Sequence, residues 1–318
     1  MDDLPPTPPE VSVLVVGYKS IGYIARCLEG AIRSAGNEPF EFLFIDCSND
    51  GSEAFVRERF PSVKVLPYQG NLGFARGNNV LAAIAKSRRL LLLNPDAFAE
   101  RDELAALLAV ARARPDAAAW GAINILPSGD FDGGSMQPML GALPLAFAIL
   151  GLASLRPGTA STTRLELQEV PVLSGAFMMI DAAVWKQLGG FDERFFMYAE
   201  EVDLCKRIAD ISGVLIVDPR IRILHDTGSG DRRNPQRLLN RARGNATFYR
   251  KHFGPLWATC CLWLQFFHAA TRFAGGVLIR KQSLADGFAP LVKHRAEWWE
   301  GWPAVTSPTA KSATADHV

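Results

Sequence analysis

Three carboxylates within four residues, Glu200, Glu201 and Asp203, open a segment with helical spacing, and Phe195, Phe196 and Tyr198 stand just before them. Acids in a first turn are favoured by the helix dipole, so part of this pattern is ordinary helix chemistry. Glu200 and Asp203 share a face at the 3.6-residue period, and Asp203 stands four residues before Arg207, an i,i+4 pair worth ~0.2–0.5 kcal/mol. Glu201 is turned away by roughly 100°. An aromatic surround desolvates a carboxylate and raises its basicity, which suits Glu201 to take a proton from a substrate hydroxyl.

Other polar residues follow apolar runs. Asp46 comes directly after Phe44 and Ile45, and a carboxylate there can accept from a base imide or a ribose hydroxyl. Ser48, Asp50 and Ser52 beside it read as turn and cap residues. Asn94-Pro95-Asp96 closes the run 90–93, and the proline stops the strand and fixes the chain. A carboxylate in that place suits a hard divalent cation whose other ligands are phosphate oxygens, although the same tripeptide is also a common turn. His225 ends the β-rich stretch 214–224. A lone histidine after a strand is more often structural, but a neutral imidazole beside a carboxylate is a good ligand for Mn²⁺.

These residues need a scaffold, and the first half supplies one. Strand-like runs at 11–16, 40–45, 63–67, 89–93 and 117–124 alternate with helical patterns at 21–34, 52–60, 77–87 and 104–114. Such alternation over short loops predicts an α/β fold with a mostly parallel, Rossmann-like sheet and helices on both faces. Ligands bind such sheets at the carboxyl ends of the strands, where Gly17, Tyr18, Asp46 and Asn94 stand. The first strand is followed neither by a Walker A loop nor by G-x-G-x-x-G, and no G-x-S-x-G elbow occurs. A P-loop NTPase, a standard dinucleotide oxidoreductase and the common hydrolases are therefore disfavoured.

The 318 residues are 48% apolar and 21% charged, enough for a sizeable core. With 34 basic against 33 acidic residues the formal charge is +1, and no broad cationic field for nucleic acid exists. Five cysteines without a C-x-x-C pair point to neither a disulfide framework nor a zinc knuckle. The first ten residues carry four prolines and do not read as a signal peptide, so a cytoplasmic setting is expected.

Taken in order, the segments resemble glycosyltransferase family 2, in its rhamnosyltransferase-like branch. The set is the strand running into Gly17-Tyr18-Lys19, "IDCSNDGS" around Asp46, "NLGFARGNN" at 71–79, "LLLNPDA" at 91–97, "GGFDERFFMYAEEVDLCKR" at 189–207, and His225 with Gly228 and Ser229. The resemblance covers roughly residues 11–254 and implies a GT-A fold, a nucleoside-diphosphate sugar donor and inversion at the anomeric carbon. It further implies that Asp46 holds the base or ribose, with Gly17, Tyr18, Asn71, Gly73, Asn78 and Asn94 also lining the donor site. Asp96 and His225 would bind Mn²⁺ or Mg²⁺, and Glu201 would be the general base within the Glu200–Asp203 acid set. Two departures stand out: Asn94 replaces the first acid of the D-x-D metal motif, and the base is Glu where the family usually has Asp. They motivate an alternative, a catalytically impaired nucleotide-sugar-binding protein. The branch points to L-rhamnose as the sugar and to a glycan or polyprenyl-linked glycan as acceptor.

The expected organisation is a lead-in at 1–10, a GT-A domain at 11–254 (donor half 11–125, acceptor half 126–254), an apolar helical extension at 255–301 and a disordered tail at 302–318. Stretches 133–155 and 256–270 carry no charge, yet neither reads as a membrane span. They are packed helices, or else a monotopic surface meeting a lipid-linked acceptor at the inner face of the membrane, with Arg232, Arg233, Arg237, Arg241 and Arg243 supplying positive charge.

Overall fold

The computed structural model describes residues 8–132, 137–152, 164–226 and 234–303. Gly228, Ser229, Arg232 and Arg233 lie outside the described residues. Strands β1 (Val11–Gly17), β2 (Phe40–Asp46), β3 (Val63–Leu66) and β4 (Arg89–Leu93) pair in parallel, and α1 (Ile24–Ala35), α2 (Ser52–Arg59) and α3 (Gly73–Ile84) connect them. Two-residue β5 (Ala97–Phe98), α4 (Glu103–Ala113) and β6 (Ala119–Ile125) follow, then α5 (Ala142–Ile149) and short β7 (Gln168–Glu169). The acceptor half adds β8 (Phe177–Asp181), α6 (Ala182–Leu188), α7 (Glu200–Asp210) and β9 (Leu215–His225). Helices α8 (Pro235–His252), α9 (Pro255–Leu278), α10 (Gln282–Lys293) and α11 (Arg295–Trp299) close the chain.

Strands from both halves share one sheet, ordered β3-β2-β1-β4-β8-β6-β9-β5, with β7 also paired to β9. The parallel pattern holds for β1–β4 and for β6 with β9. It does not hold for β8, which runs antiparallel between β4 and β6, nor for β5 and β7 against β9. Antiparallel β8 places its first residue, Phe177, beside Leu93 at the carboxyl end of β4. One edge of the sheet thus collects the end of β1 opposite Asp46, the Asn94 turn and His225 opposite Ala97.

Alternate residues of each central strand point to opposite faces. Val11, Val13 and Val15 join the core beneath α1, α2 and α4, while Leu14 and Val16 join the one beneath α3, α7, α8 and α9. Both faces are buried, which is why these strands read as continuous apolar runs. Helix α3 begins four residues earlier than its periodicity predicts. Gly73 adopts a left-handed φ of 71°, the Asn71 side chain accepts its N–H at 3.2 Å, and a Cβ there would lie 2.4 Å from the Phe196 carbonyl oxygen.

Candidate functional site

At the donor end, Cys47 N–H donates to Gly17 O at 2.7 Å, and Lys19 N–H donates to Ser48 Oγ at 2.8 Å. Ser48 in turn donates to Asp46 Oδ1 from both its N–H and its Oγ, each at 2.8 Å. Asp46 is 1% exposed, and its Oδ2 has no protein partner. A buried, unpaired carboxylate oxygen is costly unless something donates to it, and a base imide or ribose hydroxyl has that chemistry. Tyr18 is half-buried beside it, under the Lys19 ammonium. Asn78 is buried within α3 and donates to Phe74 O at 2.9 Å, leaving its Oδ1 unpartnered. Asn79, not singled out by sequence, donates to Phe191 O and accepts Phe191 N–H, both at 2.9 Å, and so ties α3 to the Gly189–Gly190 turn.

Asp96 and His225 are brought together, with Oδ1 and Nε2 3.4 Å apart. That spacing fits two ligands on one cation. His225 Nδ1 meets Asp132 Oδ2 at 3.3 Å, an arrangement that fixes which ring nitrogen faces Asp96. Burial lowers the His225 pKa, but Asp132 and Asp96 outweigh it and raise it to about 9. Positive charge is thus stabilised here. Asn94 Oδ1 is buried and unpartnered one turn away. Among the described residues no three His, Cys, Asp or Glu side chains form a complete cation cage, so the pair fits an ion completed by phosphate oxygens. Asp132 was missed because it stands seven residues beyond β6 and returns to it only through the turn at 126–130, where its N–H donates to Asn124 O at 2.9 Å.

The acid segment is knitted to both parts. Phe74 N–H donates to Phe196 O at 3.0 Å, and Asn94 N–H donates to Ala176 O at 3.0 Å. Gly175, the residue before Ala176, lies against Glu201, where a Cβ would stand 3.5 Å from the Glu201 Cβ. Tyr198 and Ala199 both hold left-handed backbone, at φ 67° and 69°, immediately before α7. Such conformations cost about 1–2 kcal/mol per residue and persist only where packing enforces them. Here α8 does so at Gly244, where a Cβ would lie 2.2 Å from Tyr198 O. Trp302 adds an indole hydrogen bond to Met197 O at 2.9 Å and packs on Phe196.

The three acids then part company. Glu201 is half-buried and accepts from Gln137 Nε2 at 3.2 Å; burial pushes its pKa up, against the pull of Arg241 and Gln137. Glu200 is 5% exposed with Oε2 unpartnered, and burial together with the Glu201 charge raises its pKa well above the ordinary range. Asp203 is 0% exposed and engaged by Arg207 at 2.8 Å, Lys251 at 2.5 Å and His252 at 2.7 Å. Burial would raise its pKa, yet these partners hold it below the ordinary value. Both its oxygens are taken within the protein, a position that suits an anchor between α7 and α8 and not the share in the catalytic work that the resemblance implies. The i,i+4 pair with Arg207 is present. Gln137, Lys251 and His252 carried no sequence signal, because they lie in unpatterned or distant segments.

A groove of about 650 Å³ between α4 and β9, lined by residues such as Val110, Ile221 and Arg222, contains none of these candidates. No described helix is long and apolar enough to cross a membrane. Of the basic residues on α8, Arg243 is spent internally, on Glu297 and over the Trp302 ring, while Arg241 is exposed.

Comparison with known proteins adds to this geometry. The family model described as glycosyl transferase family 2 matches residues 12–189. An N-acetylglucosaminyl-diphospho-decaprenol L-rhamnosyltransferase of Mycobacterium tuberculosis is 30% identical over 247 residues, 70% of this chain and 78% of the relative. The rhamnosyltransferase WbbL of Escherichia coli K12 is 22% identical over 64% of this chain and 78% of its own length. Among solved structures, the mannosyltransferase PcManGT from Pyrobaculum calidifontis, in complex with GDP-Man and Mn²⁺, superposes with a TM-score of 0.57 at 17% identity, over 92% of this chain and 86% of that one. That likeness bears on fold alone, and the fold is of the GT-A type. By its matched domain and its relatives, the chain belongs to glycosyl transferase family 2 and is similar to the family's rhamnosyltransferases.

Proposed function

We propose that the protein transfers a sugar, L-rhamnose, from a nucleoside-diphosphate donor to a hydroxyl of a polyprenyl-linked glycan, with inversion at the anomeric carbon. The observation that carries this is a set of three complementary parts: the unpaired oxygen of Asp46 and the Asp96–His225 pair at the strand ends, and the Glu201 carboxylate of α7, which lies against Gly175 next to the Asn94–Ala176 hydrogen bond. Asp46 accepts from the base or ribose, and two segments, Gly17 and Tyr18 at the end of β1 and Asn71 and Gly73 at the start of α3, enclose the donor. Asp96 and His225 would hold Mn²⁺ or Mg²⁺; when bound, the cation offsets charge on the departing diphosphate. Glu201 takes the acceptor hydroxyl's proton. The freed oxygen forms a bond to the anomeric carbon as the carbon–oxygen bond to the diphosphate breaks, and the nucleoside diphosphate leaves with both bonding electrons. A single displacement needs no enzyme nucleophile. Glu200, buried beside Glu201, keeps its own proton as Glu201 ionises, and Asp203 anchors the helix.

The two relatives named as rhamnosyltransferases support the sugar, and the decaprenol in the name of one supports a lipid-linked acceptor near a membrane. Incubation with a panel of nucleotide sugars and Mn²⁺, with and without a polyprenyl-diphosphate-linked glycan, tests the reading. Release of nucleoside diphosphate with dTDP-L-rhamnose, and product of opposite anomeric configuration by NMR, are expected. Donor binding with no release under any condition favours the alternative of an impaired sugar-nucleotide-binding protein.

A further inference from the structure

Helix α9 is apolar on both sides. Its inner face, with Ala258, Cys261, Leu262, Gln265 and Ala269, is buried. Its outer face carries Leu256, Trp263, Phe267, Ala274 and Leu278, spaced to fall on one stripe of a 3.6-residue helix about 33 Å long at 1.5 Å per residue. Leu256 and Leu278, at the two ends, are 81% and 82% exposed, and Phe267 between them is 52% exposed. A continuous exposed apolar stripe marks an interaction site. Its electrostatic setting selects the partner: no Asp or Glu occurs from Phe253 to Ala285, whereas exposed Arg280 and Lys281 follow the stripe directly.

We infer that the outer face of α9 lies in the interface of an anionic lipid bilayer, its apolar side chains among the acyl chains and Arg280 and Lys281 on the headgroup phosphates. Apolar area plus cationic flanks, on a helix that does not span, is the pattern of a monotopic anchor. The inference rests on the proposed lipid-linked acceptor only for its purpose, not for its evidence. The packing gives the anchor a route to the chemistry. Gln265 of α9 donates to Ala242 O and accepts from Asn245, fixing α9 to α8, and α8 abuts Tyr198 O at Gly244. On the other side, Arg272 donates to Ala148 O of α5, a helix that begins five residues after Gln137, the donor to Glu201. Docked by α9, the chain would meet a membrane-held acceptor one helix away from Glu201.

The test is flotation of the full-length protein with phosphatidylcholine vesicles, with and without one-third phosphatidylglycerol, at low and high salt. Wild type is expected to float with the anionic vesicles, less so at high salt. The triple variant Leu256→Gln, Phe267→Gln and Leu278→Gln should bind at least about tenfold more weakly, since each side chain loses apolar burial. Arg280→Gln with Lys281→Gln should lose the preference for anionic vesicles, while Ile211→Gln, an exposed apolar residue elsewhere, should behave as wild type. Circular dichroism and donor binding report whether each variant is folded. Equal flotation of the triple variant and wild type, or no flotation of wild type, overturns the inference. So does a wild-type dimer that the triple variant dissolves without any vesicle binding. Each of these results leaves glycosyl transfer to a water-soluble acceptor intact, whereas failure of transfer with vesicle binding retained rejects the proposed function alone.

Discussion

Asp203→Asn separates an anchor from a catalyst. The carboxylate is fully buried and meets three side chains on two helices, the cations of Arg207 on α7 and Lys251 on α8 and the imidazole of His252 on α8. Removing one charge from a buried cluster typically costs ~3–5 kcal/mol, because its partners stay desolvated. The lower end applies here. Lys251 keeps Asp192 at 2.6 Å, and Arg207 keeps the Leu188 and Gly190 carbonyls at 2.9 and 2.8 Å. A loss of about 3 kcal/mol should lower Tm by about 4–5 °C in a chain of this size. The sign with pH follows from the depressed pKa: the stabilisation is present above the ordinary value of 3.8 and is lost as pH falls through the lower, folded-state value. The gap between variant and wild type should therefore narrow in acid. Thermal and urea unfolding at several pH values read the stability, and turnover measured well below the variant's Tm reads the chemistry, which should stay within severalfold of wild type. A Tm within a degree of wild type, or abolished turnover in a fully folded variant, refutes the assignment.

Asp96→Ala and His225→Ala should each weaken Mn²⁺-dependent binding of the donor diphosphate in calorimetry, the carboxylate loss more, because the cation–phosphate cluster needs its charge. Unchanged metal dependence in Asp96→Ala would remove Asp96 from the site. Gly244→Ala forces a Cβ onto the Tyr198 carbonyl, a backbone group that cannot yield. It should destabilise by ~1–3 kcal/mol and lower kcat more than donor affinity, since the displaced residues lead into Glu201. With Glu201 acting deprotonated and its pKa raised by burial, the acid limb of kcat should lie above the ordinary Glu value of 4.5. Glu200→Gln should leave that limb in place, because Glu200 keeps its proton while Glu201 ionises, and, by removing a buried carboxyl that resists ionisation, raise Tm most at alkaline pH.

Much of the donor half was legible because its strands are buried on both faces. Val11–Gly17, Phe40–Asp46 and Arg89–Leu93 could only read as apolar runs, and the polar residues ending them stood out. Strand β8 was missed: five residues after an irregular stretch, antiparallel to β4 and β6, run straight into α6 with no loop between them. The acids were found as a group, but their division of labour was hidden. It depends on Gln137, Lys251 and His252, which sequence distance separates from α7 by tens of residues. Glycine 244 was similarly mute and Gly73 entered only through the resemblance, since what matters is the backbone each one faces. The outer stripe of α9 was visible only as low charge, until the fold showed which side of the helix is covered.

The central claim is that Glu201 takes the acceptor's proton, and Glu201→Gln addresses it most directly. Gln is nearly isosteric and can keep the contact with Gln137, so fold and donor affinity should persist. Single-turnover transfer to the acceptor should fall by roughly 10²–10⁴-fold, the range typical of a lost general base. Glu201→Asp, which withdraws the carboxylate by one methylene, should retain partial activity. Near-native transfer by Glu201→Gln, together with an inactive but folded and donor-binding Glu200→Gln, would contradict the account and move the base to Glu200.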